Sequence, residues 1–347
     1  MLNIAEQLDP TPSPLWRLVK QAGVDKVVSI LDGGEQQWRW PTEEIQRSVP
    51  PDRYIAPPRG ERPWERPALA RMQEQYREYE LDVVVIEDTP PMDQIRLGRP
   101  GRDEQIDWFC TQLRAMGELG ITTLCYNWVA ISDFARTSAS VRLRGGAITS
   151  GYDDAVMRAA PLLVEPGSVT HEQLWSAYEY FLRAVVPVAE EAGVRIALHP
   201  DDPPIPEVRG VPHIMISPDA FERVLATVVS AYSGITFCQG NFALMTHDVP
   251  SLIRQLGRDK RIFFAHFRDV AGDARNFVEV FHDAGPTDML ECMRAYKDIG
   301  FDGVVRPDHV PALEGETNET FGYSTLGRLF AIGYMTGLRE AVYGRRQ

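Results

Sequence analysis

Short apolar runs recur along this chain, each followed by a stretch of helical period, and that alternation limits the folds open to it. The runs lie at 27–31, 81–87, 121–128, 196–199, 235–241, 261–269 and 302–309, with a weaker first one at 2–7. Between and after them, residues 12–22, 68–79, 104–119, 171–192, 218–230, 249–256, 288–299 and 323–342 read as helices. β-rich apolar runs separated by amphipathic helices imply a parallel sheet. Eight such units favour a closed (β/α)8 arrangement, an α/β TIM barrel, over an open doubly wound sheet. A chain of 347 residues with 44% hydrophobic content can fill such a barrel as one domain. Two connections are long, near 32–67 and 129–170, and long connections in compact domains are usually functional. The first has a short helical pattern near Thr42 to Gln46; its Trp38, Trp40 and Trp64 suit a lid, an interface or the core.

Punctuation supports the element boundaries. Ser13 and Ser217 stand where helix caps belong, and Pro14 suits a first turn. Gly23, Gly120, Gly193 and Gly300 follow helical stretches. Other classes find no support. No glycine-rich dinucleotide fingerprint follows the first strand, and no P-loop occurs. The net charge of -13, from 36 basic and 49 acidic residues without a basic stripe, argues against nucleic acid as a partner. Cys110, Cys125, Cys238 and Cys292 are widely separated, so no disulfide framework is expected. The stretch Met1 to Glu6 lacks the features of a signal peptide, and no apolar run approaches ~18 residues. A cytoplasmic enzyme without a membrane span is expected.

The C-termini of parallel barrel strands meet on one face. Four late strands end in His199, Cys238, His266 and Asp308. Singly, each has a plainer reading: a packed histidine, a small core thiol, a carboxylate bracing a turn. On four successive strand ends, a divalent metal site is the better reading. Nitrogen and sulfur donors suit zinc, iron, cobalt or manganese rather than calcium. His171, His213, His247 and His282 fall in connections or helices and read as surface or loop residues.

A second set of polar residues surrounds that face: Glu87, Asn127, Arg268, Arg306, His309 and Tyr323. Glu87, Asn127 and Asp201 are candidate substrate contacts. Arg268 and Arg306 can clamp a substrate carboxylate in bidentate fashion, or pair with Glu87, Asp269 or Asp302 as structural bridges. His309 and Tyr323 carry groups suited to proton transfer. Asp201 and Asp202 can orient a ligand or satisfy turn amides.

Several motifs are specific: His199-Pro200-Asp201-Asp202-Pro203-Pro204, His266-Phe267-Arg268, Arg306-Pro307-Asp308-His309 and Gly322-Tyr323-Ser324. With them the chain resembles the mannonate dehydratase family, among the xylose-isomerase-like barrels. The likeness is strongest over 195–343 and extends back through Cys125-Tyr126-Asn127 and Asp133-Phe134-Ala135-Arg136-Thr137. The resemblance implies a divalent cation, usually manganese (iron, cobalt or magnesium as alternatives), on His199, Cys238, His266 and Asp308. It implies loss of water from D-mannonate to give 2-keto-3-deoxy-D-gluconate in hexuronate breakdown, by a homo-oligomer, dimer or tetramer. Arg306, Tyr323 and His309 are then the catalytic candidates, the last two sharing, in either order, the roles of base at C2 and acid at the C3 hydroxyl. Arg268 is expected to help hold the carboxylate. Ile4-Ala5-Glu6-Gln7, Asp32-Gly33-Gly34 and Val310-Pro311 depart from the family pattern, so part of the substrate wall is altered. A sugar isomerase or epimerase using related enediolate chemistry, and a catalytically silent sugar-binding barrel, are the alternatives.

Overall fold

The computed structural model describes residues 2–32, 60–132, 134–317 and 321–344. Trp38, Trp40, the helical pattern at 42–46, the Gly33-Gly34 pair and Asp133 lie outside the described residues. The barrel strands are β1 (Asn3–Leu8), β2 (Lys26–Ser29), β3 (Asp82–Ile86), β4 (Thr123–Asn127), β5 (Arg195–His199), β6 (Ser233–Cys238), β7 (Ile262–Phe267) and β8 (Val304–Pro307). They pair in parallel, each with its sequence neighbour, and β8 pairs back with β1 to close the ring. The weak first run is therefore a full barrel strand. It closes the ring through Asn3 beside Val304 and Ile4 beside Val305.

Two apolar layers follow from the alternation of side chains along each strand. Inside the barrel Ala5, Val28, Val85, Cys125, Ala197 and Val304 pack around the larger Phe263 and Phe264. Outside, the other face of each strand packs on the helices. The long helix His171–Ala192 shows why these segments are helical. Its buried residues Leu174, Ala177, Tyr178, Phe181, Leu182, Val185 and Ala189 fall on one stripe at three- and four-residue spacing. Thr170 Oγ1 accepts from the Gln173 amide at its start, and Gly193 ends it at φ 68°. Phe181, fully buried against Phe109, contributes about 2–3 kcal/mol of apolar burial. Trp64 is also core: it is fully buried beside Trp108.

The connection after β4 is structured. It holds strands Ser138–Arg142 and Ile148–Asp153 and a short helix, Asp154–Arg158. These strands join an unanticipated hairpin after β7, Val270–Asp273 with Asn276–Glu279, in a four-stranded antiparallel sheet. The run 261–269 thus ends as a barrel strand at Phe267. The run 235–241 likewise stops at Cys238 and turns into the helical segment Gln239–Ala243. Both changes occur at the strand C-termini and bring Asn241 and Glu279 to the barrel mouth.

Candidate metal centre

His199 and Cys238 end β5 and β6, His266 stands one residue before the end of β7, and their donor atoms lie within 4.8 Å of one another. Asp308, one residue beyond β8, completes the group: its Oδ2 is 3.4 Å from His266 Nδ1 and 3.9 Å from Cys238 Sγ. All four are buried. Parallel pairing sets Cys238 beside His266 in register, so adjacent strand ends deliver adjacent donors.

A hydrogen bond orients one imidazole and an ion-pair contact the other. His199 Nδ1 lies 2.7 Å from the Pro200 carbonyl, which can only accept, so the proton sits on Nδ1 and the Nε2 lone pair faces inward. His266 Nε2 lies 3.1 Å from Glu87 Oε1, an ion-pair contact that favours a proton there and turns Nδ1 inward. The two inward nitrogens are 3.2 Å apart. Two lone pairs at that distance repel unless a proton or a cation lies between them. Burial and Arg306 oppose charge on His266, but Glu87 and Asp308 outweigh them and raise its pKa to about 9. A divalent cation among these donors would relieve that repulsion, and the nitrogen, sulfur and oxygen donors suit a borderline transition metal. Glu87, Cys125 and His266 form a second possible group. There, Cys125 Sγ accepts from Thr236 Oγ1 and Glu87 is gripped by Arg306.

Arg306 and Arg268 follow the bridging reading, with partners only partly foreseen. Arg306 donates Nε and Nη2 to the two oxygens of Glu87 and Nη1 to Asp308 Oδ1. Burial opposes a charge on Glu87, but Arg306 prevails and its pKa falls to about 2. Arg268, wholly buried, gives Nε and Nη2 to Glu279 and Nη1 to Asp202, Asn241 and Cys238. Its guanidinium is engaged by protein groups on every nitrogen, the bridging alternative to a substrate clamp. Arg136 makes a bidentate pair with Asp202 and reaches Glu279 at 2.7 Å. Two buried arginines and two buried carboxylates thus brace the floor of the sulfur ligand. Burial works against charge on Asp202 and Glu279, yet the arginines hold both below the ordinary carboxylate range. Asp302, offered as another bridge, pairs instead with Arg195.

Two other expected substrate contacts brace the backbone. Asp201 Oδ2 accepts from the Ile214 and Met215 amides, its turn-satisfying alternative. Asn127 Oδ1 accepts from Arg96 and from the Val129 amide. Glu87 supports His266 and Arg306 from β3. His213 and His282 are buried rather than surface residues: His213 bonds Ser132 and the Pro203 carbonyl, and His282 bonds the Phe267 carbonyl.

His309 and Tyr323 flank the site and are partly exposed. Tyr323 donates to Asp308 Oδ1 at 3.1 Å, and the two rings are 5.8 Å apart. Gly322 makes that approach possible. It adopts φ 85°, and a Cβ there would lie 3.0 Å from His309 Nδ1. Tyr323 precedes the last helix, Thr325–Tyr343, rather than lying in it.

The chain matches the family model described as D-mannonate dehydratase (UxuA) over residues 15–165 and 162–347. It belongs to the D-mannonate dehydratase family. It is 34% identical over 305 residues to mannonate dehydratase 2 of Halalkalibacterium halodurans, covering 80% of this chain and 88% of that one. It is 33% identical over 314 residues to the mannonate dehydratase of Thermotoga petrophila, covering 80% and 86%. Both relatives are named as mannonate dehydratases. The crystal structure of mannonate dehydratase from Streptococcus suis serotype 2 superposes with a TM-score of 0.82 at 28% identity, covering 98% of this chain and 93% of that one. An L-ribulose 3-epimerase, at 13% identity and TM-score 0.59, shares the barrel fold.

Proposed function

We propose that this protein is a metal-dependent sugar-acid dehydratase that converts D-mannonate to 2-keto-3-deoxy-D-gluconate and water. The convergence of His199, Cys238, His266 and Asp308, with both imidazole lone pairs turned inward, is the observation that carries this reading. Manganese is the first choice of cation on the family resemblance, and the mixed donor set also suits iron or cobalt. A bound divalent cation would supply Lewis-acid stabilisation of the negative charge that develops when a proton is lost next to the carboxylate.

The protein's own residues divide the remaining work. Glu87 and Pro200 fix the imidazole orientations, and Arg306 fixes Glu87 and Asp308. His309 is the better base for the C2 proton, because an imidazole can be neutral near pH 7. Tyr323 is the better acid for the departing C3 hydroxyl, because a phenol keeps its proton there. Loss of the C2 proton and the C3 hydroxyl leaves an enol, which ketonises to the 2-keto-3-deoxy acid. Among the described residues no helix is long and apolar enough to cross a membrane. On the resemblance we also assign a cytoplasmic homo-oligomer of single-domain barrels.

A panel of stereoisomeric aldonates, offered to the manganese-loaded protein with mass detection, tests the reaction. Loss of one water from D-mannonate is the expected result. Turnover at unchanged mass would replace dehydration by epimerisation, and full activity in metal-free His199→Ala would remove the metal from the reaction.

A further inference from the structure

We propose that Gln7 is a specificity-determining contact for a hydroxyl group of the sugar acid. The inference rests on the dehydratase reading and names a wall residue for it. On β1, Ala5 belongs to the inner barrel layer with Val28, Val85 and Val304. Side chains alternate along a strand, so Gln7 points to the same interior, one layer nearer the mouth. The pairing of Ile4 with Val305, continued three residues, brings Gln7 level with Asp308.

Its backbone is pinned from both ends. The Gln7 amide donates to Glu6 Oε1 at 3.1 Å, and its carbonyl accepts from Arg328 Nη1 at 2.6 Å. Arg328 also donates Nε to the Tyr323 carbonyl at 3.0 Å, so one guanidinium sets Gln7 and Tyr323 in fixed relation. The Gln7 side-chain oxygen, by contrast, is buried and has no hydrogen-bond partner among the described residues. A buried acceptor without a donor is unfavourable unless a ligand completes it. A rigid backbone presenting an unsatisfied amide oxygen at the mouth of a barrel is preorganised for a polar ligand. A polyhydroxy acid supplies the missing donor, and an amide can also donate to a hydroxyl oxygen.

The test compares wild type with Gln7→Leu and Gln7→Met, both manganese-loaded, on D-mannonate and on aldonates that lack or invert one hydroxyl. The inference expects both variants to keep their manganese and to lose about tenfold or more in kcat/KM for D-mannonate. It also expects preference for the native substrate over one analogue to shrink by the same factor, with the other analogues unaffected. Calorimetric titration of each protein with D-mannonate gives the parallel reading in Kd. Unchanged kcat/KM and unchanged preference in a folded variant would overturn the inference and leave the dehydratase reading standing. Wild type that binds D-mannonate without turning it over would overturn the dehydratase reading, and the variants' Kd would then decide on Gln7. Wild type that neither binds nor converts any sugar acid would overturn both. If neither variant folds, a wild type that binds every analogue as tightly as D-mannonate overturns the inference, whereas a selective loss for one supports it.

Discussion

Replacing Glu279 by Gln tests the buried charge cluster beneath Cys238. Arg136 and Arg268 face Asp202 and Glu279, so the four formal charges balance. Glu279→Gln leaves two guanidiniums sharing one carboxylate, in a place where Glu279 and Arg268 are wholly buried. Breaking a buried pair on one side costs about 3–5 kcal/mol. Gln keeps one acceptor oxygen, so the low end, about 3 kcal/mol, is expected. Unfolding entropy of about 2.1 cal/mol/K per residue makes about 0.7 kcal/mol/K for a chain of this size, which turns that cost into about 4 °C of Tm. Thermal unfolding at pH 7 measures the shift. Glu279 has its pKa depressed by Arg268 and His309 against burial, so its contribution is fully present above the ordinary glutamate range. The gap between wild type and variant should therefore close as the pH falls through the folded value. The double variant Arg268→Met with Glu279→Leu leaves Arg136 balanced by Asp202 and should be more stable than Glu279→Gln alone. Tm values within 1 °C for wild type and Glu279→Gln, or a double variant below the single one, would refute the charge-balance argument.

Other outcomes follow from the same geometry. His199→Ala and Asp308→Ala should each weaken manganese binding by roughly 10²-fold or more, seen as metal lost on dialysis, with activity falling alongside. Tyr323→Phe should lower kcat by about 10²–10⁴ while metal content and Tm hold; retained kcat would remove the phenol from proton transfer. Gly322→Ala should cost about 1–2 kcal/mol through its positive φ and should lower kcat by displacing His309, checked by denaturant titration and initial rates. Burial, only partly offset by Arg328 and Arg306, raises Glu6 from 4.5 to about 7. An acid with a raised folded pKa destabilises the fold progressively as pH rises from 4.5 to 7, and the penalty then levels off. Glu6→Gln should remove that slope and be up to about 3 kcal/mol more stable relative to wild type at pH 8 than at pH 4.5. A pH-independent difference would count against it.

The barrel was legible because its signals are local. Apolar runs and helical stripes repeat within windows shorter than one βα unit, and Thr170, Ser217 and the terminal glycines mark where elements change. The ends of β6 and β7 were misjudged because Gln239–Ala243 and Val270–Asp273 continue the polar tails of the runs without a break. The hairpin did carry a partial signal: buried Phe277 and Glu279 alternate with more exposed neighbours, although its turn, Ala274-Arg275, holds no glycine. Glu279 is not evident from sequence because one partner, Arg136, lies far from it in the chain and the other, Arg268, meets it only once the hairpin folds back.

By itself the chain determined the eight-unit barrel and the four residues that end its late strands, since strand ends must meet once a parallel barrel closes. Only the tertiary structure decided which polar groups around them are committed. Arg268, Asn127 and Asp201 share residue types with good ligand contacts, yet segments from elsewhere in the chain engage them. Gln7 looked like part of an altered strand, and its amide oxygen is unpartnered among the described residues. Hydrogen bonds and ion pairs depend on atoms brought within about 3 Å, and nothing in sequence spacing measures that distance.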